Sequence, residues 1–189
     1  TVLDLMNRYP ELTFMQNQAK VYEYCKKDFP ELYAAVKERI AEGRWEVNGA
    51  MWTEPDCNMP SGESLIRQIT FGLRFFREEF GSSGEALVVM DAFGYSWALP
   101  QLLRRSGVKY FLTNKMSWSQ FNRLPYDSFN WRGIDGSTVL THQLTARSPG
   151  RAGWMTTCNA VLSPEMLAGS WDHYQQKDKS DQILFTYGY

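Results

Sequence analysis

The sequence has no excess of charge of either sign. Its 189 residues include 20 Lys and Arg against 21 Asp and Glu, which gives a formal net charge of -1 at pH 7. Proteins that bind nucleic acid or anionic lipid through their overall field carry a clear basic excess. No apolar run approaches the roughly 20 residues that a membrane helix needs. The sequence therefore predicts neither nucleic acid nor a membrane as a partner.

Cysteine and histidine are scarce and widely spaced. Cys25, Cys57 and Cys158 show no C-x-x-C spacing, and His142 and His173 form neither an H-x-H nor an H-E-x-x-H pattern. The residues alone thus assemble no disulfide framework, zinc knuckle or complete zinc site. Unpaired thiols are typical of reducing compartments, so we expect a cytoplasmic protein.

The sequence does contain an alternation of strand-like and helix-like segments. Strand-like runs occupy residues 12–15, 45–51, 86–90 and 108–113, and segments with helical spacing separate them. This alternation predicts an α/β fold built from parallel βαβ units. The stretch FNWRGIDGSTVLTHQ contains Asp135-Gly136, a favoured tight turn, and predicts a local hairpin insertion. A last strand is predicted over residues 183–187.

Asp91 follows an apolar strand in VVMDAFGYSW and precedes a glycine turn. In βαβ folds the chemistry lies at the carboxyl ends of the strands, where a rigid strand end can hold a nucleophile, a general base or a metal ligand. An aspartate that caps a following helix would occupy the same position. Position alone leaves both interpretations open.

Several aromatic and charged residues also follow predicted strands. The aromatic residues are Trp52, Phe93, Tyr95, Trp97 and Trp118, and the charged residues are Glu54, Asp56 and Lys115. Aromatic faces suit the C–H faces of a sugar, although core packing is the better explanation for any single ring. A lysine can lower the pKa of a nearby carboxylate or hold a substrate hydroxyl, but most lysines are solvated. The two loop acids could form an acid–base pair or could simply be exposed.

The stretches MWTEPDCNMPSGESLIRQ, MDAFGYSWALPQLLRRSGVKYFLTNKMSW, FNWRGIDGSTVLTH and LFTYGY together resemble glycoside hydrolase family 38, a family of α-mannosidases. The resemblance implies a zinc-dependent retaining α-mannosidase acting on mannose-containing oligosaccharides. It implies that Asp91 is both the nucleophile and a zinc ligand. It also implies that Phe93, Lys115, Trp52 and Asp56 bind substrate.

The resemblance further implies an irregular (β/α)7 barrel with parallel strands, of which residues 1–189 would form the central part of the N-terminal catalytic domain. On this reading the chain is truncated at both ends, and other zinc ligands and the acid/base residue lie outside it. We expect the isolated fragment to be inactive, and the full-length protein could form a homo-oligomer. Two alternatives stay open: a catalytically degenerate carbohydrate-binding barrel, and a metal-dependent polysaccharide deacetylase, whose expected H-x-x-x-H spacing the sequence lacks.

Overall fold

The computed structural model describes residues 2–82, 84–119, 121–148 and 153–188. Helices and strands alternate along most of these ranges, as an α/β fold requires. The helices are α1 (Val2–Arg8), α2 (Ala19–Asp28), α3 (Pro30–Ala41), α4 (Gly62–Phe80), α5 (Leu99–Arg105) and α6 (Pro164–His173). The strands are β1 (Phe14–Met15), β2 (Trp45–Glu46), β3 (Ala86–Val89), β4 (Tyr110–Thr113), β5 (Ser128–Arg132) and β6 (Thr138–Gln143), and a 3₁₀ turn covers Lys115–Trp118.

The longest helix, α4, begins and ends where local chemistry dictates. The Ser61 hydroxyl accepts a hydrogen bond from the Ser64 N–H, and Gly81 ends the helix with a left-handed φ of 72°. Its buried residues Leu65 and Ile69 recur at helical spacing and face the core. Within the described ranges, no helix is long and apolar enough to cross a membrane.

The strands form two small open sheets. β1 and β2 pair in parallel, and the second sheet has the order β3-β4-β6-β5. In that sheet β3, β4 and β6 are parallel, whereas β5 runs antiparallel to β6. One parallel bridge between Gly49 and Leu87 joins the two sheets. The α/β prediction is confirmed, and so is the predicted hairpin around Asp135-Gly136, but the sheets of the described residues do not close into a barrel.

Two predictions from the sequence pattern are wrong. The hairpin of β5 and β6 is not a local insertion, because the last four residues of β6, from Leu140 to Gln143, pair with β4. Val139 and Thr141 are buried and alternate with more exposed residues, so β6 lies between two neighbours. The strand predicted over residues 183–187 does not form, and that segment makes only a single bridge from Tyr187 to Ala160.

Two apolar clusters hold the structure together. The larger lies between the helices α4 and α5 and the strands β3, β4 and β6; its largest fully buried side chains are Ile69, Leu87, Leu99, Leu103, Phe111 and Met51. The smaller joins α2 and α3 to Phe76 of α4. Burial of this kind stabilises a fold by about 1.5–3 kcal/mol per large side chain. The carboxyl ends of β3 and β4 are therefore held by the larger apolar cluster.

Gly72 allows α4 to approach the loop after β2. A Cβ at Gly72 would lie 2.4 Å from the Met51 carbonyl carbon and 2.5 Å from the Ala50 oxygen, and both are backbone atoms. We expect Gly72→Ala to destabilise the protein by about 2–3 kcal/mol and to lower its melting temperature by several degrees. Gly62→Ala is the control, because nothing lies within 4 Å of a Cβ there. Equal melting temperatures for the two variants would contradict this close contact.

Candidate active site

The parallel register of β3 and β4 brings Asp91 and Lys115 together. Val89 is paired with Thr113 at the ends of the two strands, and Asp91 and Lys115 each follow two residues later. Lys115 Nζ lies 2.9 Å from Asp91 Oδ1. The side chain of Lys115 is 11% exposed, whereas that of Asp91 is 67% exposed. The structure thus presents the carboxylate to solvent while holding its cationic partner below the surface.

Two aromatic rings cover the Lys115 ammonium. Lys115 Nζ lies 3.7 Å from the centroid of the Trp118 ring and 5.3 Å from that of Phe93. The two rings meet edge to face, with centroids 6.2 Å apart and planes at 84°. Cation–π contacts of this kind strengthen where water is excluded. Phe93 is nevertheless 67% exposed, so it also offers an aromatic surface beside Asp91.

A buried polar network fixes the 3₁₀ turn that carries Lys115 and Trp118. The Thr156 hydroxyl donates to Asn114 Oδ1 (2.6 Å) and lies 2.8 Å from the Ser117 hydroxyl, which also accepts the Thr156 N–H (3.0 Å). The Thr156 carbonyl accepts a hydrogen bond from Trp118 Nε1 at 2.8 Å. The buried residue Thr156 therefore contacts Asn114, which precedes the turn, and Ser117 and Trp118 within it.

Removal of the Thr156 hydroxyl is expected to loosen this turn. Thr156→Val preserves the shape but leaves buried Asn114 Oδ1 without this donor, which costs about 1–3 kcal/mol. Thr156→Ser keeps the hydroxyl and is expected to lose clearly less stability. Thermal unfolding of both variants measures the difference. A Val variant as stable as the Ser variant would show that the hydroxyl is not needed.

Tyr95 stabilises the loop that carries Asp91 and is not part of the exposed aromatic surface. Its hydroxyl lies 3.1 Å from the carbonyl oxygens of Val89 and Ala92 and also bonds the Thr113 hydroxyl. Its ring packs edge to face against Phe111, with centroids 4.8 Å apart. Burial raises the pKa of Tyr95 well above its usual value of 10.0, so the phenol stays neutral. Tyr95 therefore ties the loop that carries Asp91 to both strands.

Trp52 and Asp56 are not in contact with Asp91 in the described residues. Trp52 packs edge to face on Phe75, with centroids 5.7 Å apart, and so belongs to the smaller apolar cluster. Asp56 Oδ1 accepts the backbone N–H groups of Met59 and Asn58, each at 2.8 Å. These two hydrogen bonds lower the pKa of Asp56 below 3.8. Both residues have structural contacts, and their roles in substrate binding stay predictions.

Glu54 contacts Asp91 directly, although the sequence marked it only as one of two loop acids. Its Oε1 accepts the backbone N–H of Asp91 at 2.5 Å. Glu54 lies in the loop after β2, and Asp91 lies in the loop after β3. Both acids follow strands that run parallel and are joined through the Gly49–Leu87 bridge. Residues that follow parallel strands lie at the same edge, and this rule is the signal that could have predicted their contact.

The described residues supply only part of a metal site. No group of three or more His, Cys, Asp or Glu side chains in the described ranges could hold a metal ion. The Asp91 carboxylate is an exposed oxygen ligand of a type that zinc accepts. His142 does not offer a second ligand, because its Nδ1 bonds the Ser128 hydroxyl at 2.8 Å and its other nitrogen is buried. Within the described residues, the site therefore offers one oxygen ligand of a type that zinc accepts, Asp91.

The geometry suits attack by a carboxylate on a sugar. Asp91 stands at a rigid strand end, is oriented by Lys115 and lies open to solvent beside the Phe93 ring. Nucleophilic catalysis needs a positioned carboxylate of this kind, and an aromatic face can contact the apolar face of a sugar.

The chain matches known proteins over its whole length. The family model for the glycosyl hydrolases family 38 N-terminal domain matches residues 1–189. Alpha-mannosidase G of Dictyostelium discoideum is 47% identical over 183 residues, which cover 97% of this chain and 16% of that relative. Alpha-mannosidase 2C1 of Homo sapiens is 36% identical over 189 residues, which cover 100% of this chain and 17% of that relative. The chain thus spans about a sixth of the length of these relatives.

A solved structure supports the same fold. The crystal structure of an alpha-mannosidase from Enterococcus faecalis V583 is similar with a TM-score of 0.73, covering 99% of this chain and 21% of that one. The sequence identity is 18%, so this likeness concerns the fold alone. The resemblance inferred from the motifs is confirmed by the family match, and the chain belongs to the N-terminal domain family of the family 38 glycosyl hydrolases.

Proposed function

We propose that this chain is the central part of the N-terminal catalytic domain of a longer enzyme, a retaining α-mannosidase. This longer enzyme is the full-length protein. In it, the two open sheets would belong to an irregular (β/α)7 barrel. The substrate would be a terminal α-linked mannose of an oligosaccharide or glycan. The observation that carries the proposal is the exposed Asp91 carboxylate at the end of β3, paired with Lys115. Both relatives described above are named alpha-mannosidases.

Asp91 would act as the nucleophile. A carboxylate oxygen of Asp91 attacks the anomeric carbon, the glycosidic bond breaks, and a covalent mannosyl ester forms. A carboxylic acid elsewhere in the full-length protein protonates the leaving oxygen. Water then attacks the same carbon and gives a proton to that acid, which is now a carboxylate, the ester bond breaks, and mannose leaves with retained configuration. Lys115 holds the carboxylate in place before attack and stabilises it again when it is released.

The residues around Asp91 would divide the remaining tasks. Phe93 offers an exposed ring for the apolar face of the sugar, and Lys115 lies beneath the rim of the site. We propose that Asp91 is also one ligand of a zinc ion whose other ligands come from outside this chain. Bound zinc would supply a template and Lewis-acid contact for the vicinal 2- and 3-hydroxyls of the sugar. Trp52 and Asp56, in the loop after β2, would also bind the substrate.

The test uses the full-length protein with an aryl α-mannoside. Release of the phenol measures turnover, proton NMR of the first sugar product identifies its anomer, and elemental analysis measures zinc per chain. The proposal expects turnover, α-mannose as the first product and bound zinc. A β-mannose product would overturn the retaining mechanism. Binding of mannosides without turnover would instead support the degenerate carbohydrate-binding barrel.

Two wider properties are also proposals. The free cysteines of the described residues, Cys25, Cys57 and Cys158, agree with a reducing compartment, and we propose a cytoplasmic location. We propose in addition that the full-length protein can form a homo-oligomer, which its mass in solution would test.

A further inference from the structure

We propose that Glu54 is a positioning residue for the nucleophile, a role that rests on the proposed function of Asp91. Strand β3 ends at Val89, so the backbone N–H of Asp91 lies beyond the hydrogen bonds of the sheet. Glu54 Oε1 accepts that N–H at 2.5 Å. The Glu54 side chain therefore supplies the hydrogen bond that the sheet does not supply to Asp91. The orientation of Asp91 controls its attack on the sugar.

Glu54 is itself held from a third strand end. Its backbone N–H donates to Gln18 Oε1 at 3.3 Å, and its Oε2 lies 3.4 Å from Asn17 Nδ2. The same Asn17 amide donates to the Val88 carbonyl oxygen at 2.9 Å. Asn17 and Gln18 follow β1, Glu54 follows β2, and Asp91 follows β3. Glu54 is thus the central link between three consecutive strand ends.

The neighbouring backbone makes this link rigid. A Cβ at Gly49 would lie 1.9 Å from the Asn17 oxygen, so the loops after β1 and β2 are in direct contact. Asp56, in the same loop as Glu54, provides a contrast, because within the described residues its carboxylate accepts only N–H groups of its own loop, from Asn58 and Met59. Of these two acids, Glu54 is the one whose carboxylate reaches the backbone of the nucleophile.

The hydrogen bond, rather than the negative charge, is what this geometry requires. A second carboxylate beside Asp91 repels it electrostatically, and a neutral amide oxygen could accept the same N–H. Glu54→Gln keeps an acceptor for the Asp91 N–H, whereas Glu54→Ala removes it. The two variants therefore separate positioning from charge.

The experiment measures kcat and KM of the full-length protein for an aryl α-mannoside. A displacement of about 1 Å in a reacting group can cost about 100-fold in rate. We expect Glu54→Ala to lower kcat by about 10- to 100-fold with KM changed less than about threefold, and Glu54→Gln to stay within about fivefold of wild type. Glu63→Ala is the control, because Glu63 is exposed on α4 and pairs only with Arg67 among the described residues.

A second measurement does not depend on activity. Hydrogen exchange at the Asp91 amide, followed by mass spectrometry, should be faster in Glu54→Ala and close to wild type in Glu54→Gln. Wild-type kcat in Glu54→Ala, equal losses in the two variants, or unchanged exchange at Asp91 would overturn the inference. Failure of the proposed function has a different signature, because wild type would then release no phenol while the exchange difference persisted.

Discussion

Asp91→Asn in the full-length protein is expected to release the phenol of an aryl α-mannoside at least about 1,000-fold more slowly than wild type. The amide has nearly the shape of the carboxylate but is not a nucleophile. It also cannot form the 2.9 Å ion pair with Lys115. Because the same carboxylate is proposed as a zinc ligand, the zinc content should fall together with turnover. Initial rates and elemental analysis on the same preparation measure both effects.

Asp28→Asn is the matched control for this substitution. Asp28 is exposed at the end of α2, where loss of a negative charge near a helix C-terminus does not destabilise the fold. Its rate and zinc content should equal those of wild type. Asp91 is also exposed, so Asp91→Asn should fold and melt close to wild type. Retained turnover in Asp91→Asn would refute the nucleophile assignment, and retained zinc without turnover would separate the two roles.

The sequence could predict the parts of this site that depend on periodicity and strand ends. Helical spacing, the Ser61 cap and Gly81 define α4 within the chain, and these signals are local. The apolar runs before Asp91 and before Lys115 define β3 and β4. Parallel strands share a carboxyl edge, so the sequence predicts both charged residues at that edge.

The sequence could not predict which residues meet across the loops. A period of two marks β6 as a strand, but it does not say that β4 is its neighbour, so the pattern predicts a hairpin insertion and not a central strand. Side chains in loops have no such period. Trp52 turns toward Phe75 and Glu54 toward Asp91, although both belong to the same short segment. Long-range packing decides these directions, and local sequence does not encode it.

The register of β3 and β4 produces two lysine–acid pairs, one at each end of the strands. Lys109 and Glu85 precede the strands, with Lys109 Nζ 2.5 Å from Glu85 Oε1 and both side chains about half exposed. Lys115 and Asp91 follow the strands, with Lys115 11% exposed beneath two aromatic rings. Exposed pairs contribute about 0–1 kcal/mol, because water and salt screen them. The Lys109–Glu85 pair can therefore serve as a control for the Lys115–Asp91 pair.

Lys115→Met is expected to lower kcat/KM of the full-length protein by about 100-fold, which corresponds to about 2.7 kcal/mol. Methionine fills much of the space between the Phe93 and Trp118 rings, so the main loss is the charge that orients Asp91. Lys109→Met removes the equivalent charge at the opposite end of β4 and should change kcat/KM less than about twofold. A higher salt concentration should reduce the small stability that the Lys109–Glu85 pair contributes. The loss of kcat/KM in Lys115→Met should persist at high salt, because the Lys115 ammonium is largely shielded from solvent. Equal losses in the two variants would mean that activity depends on the positive charge near β4 in general and not on the pair of Lys115 with Asp91.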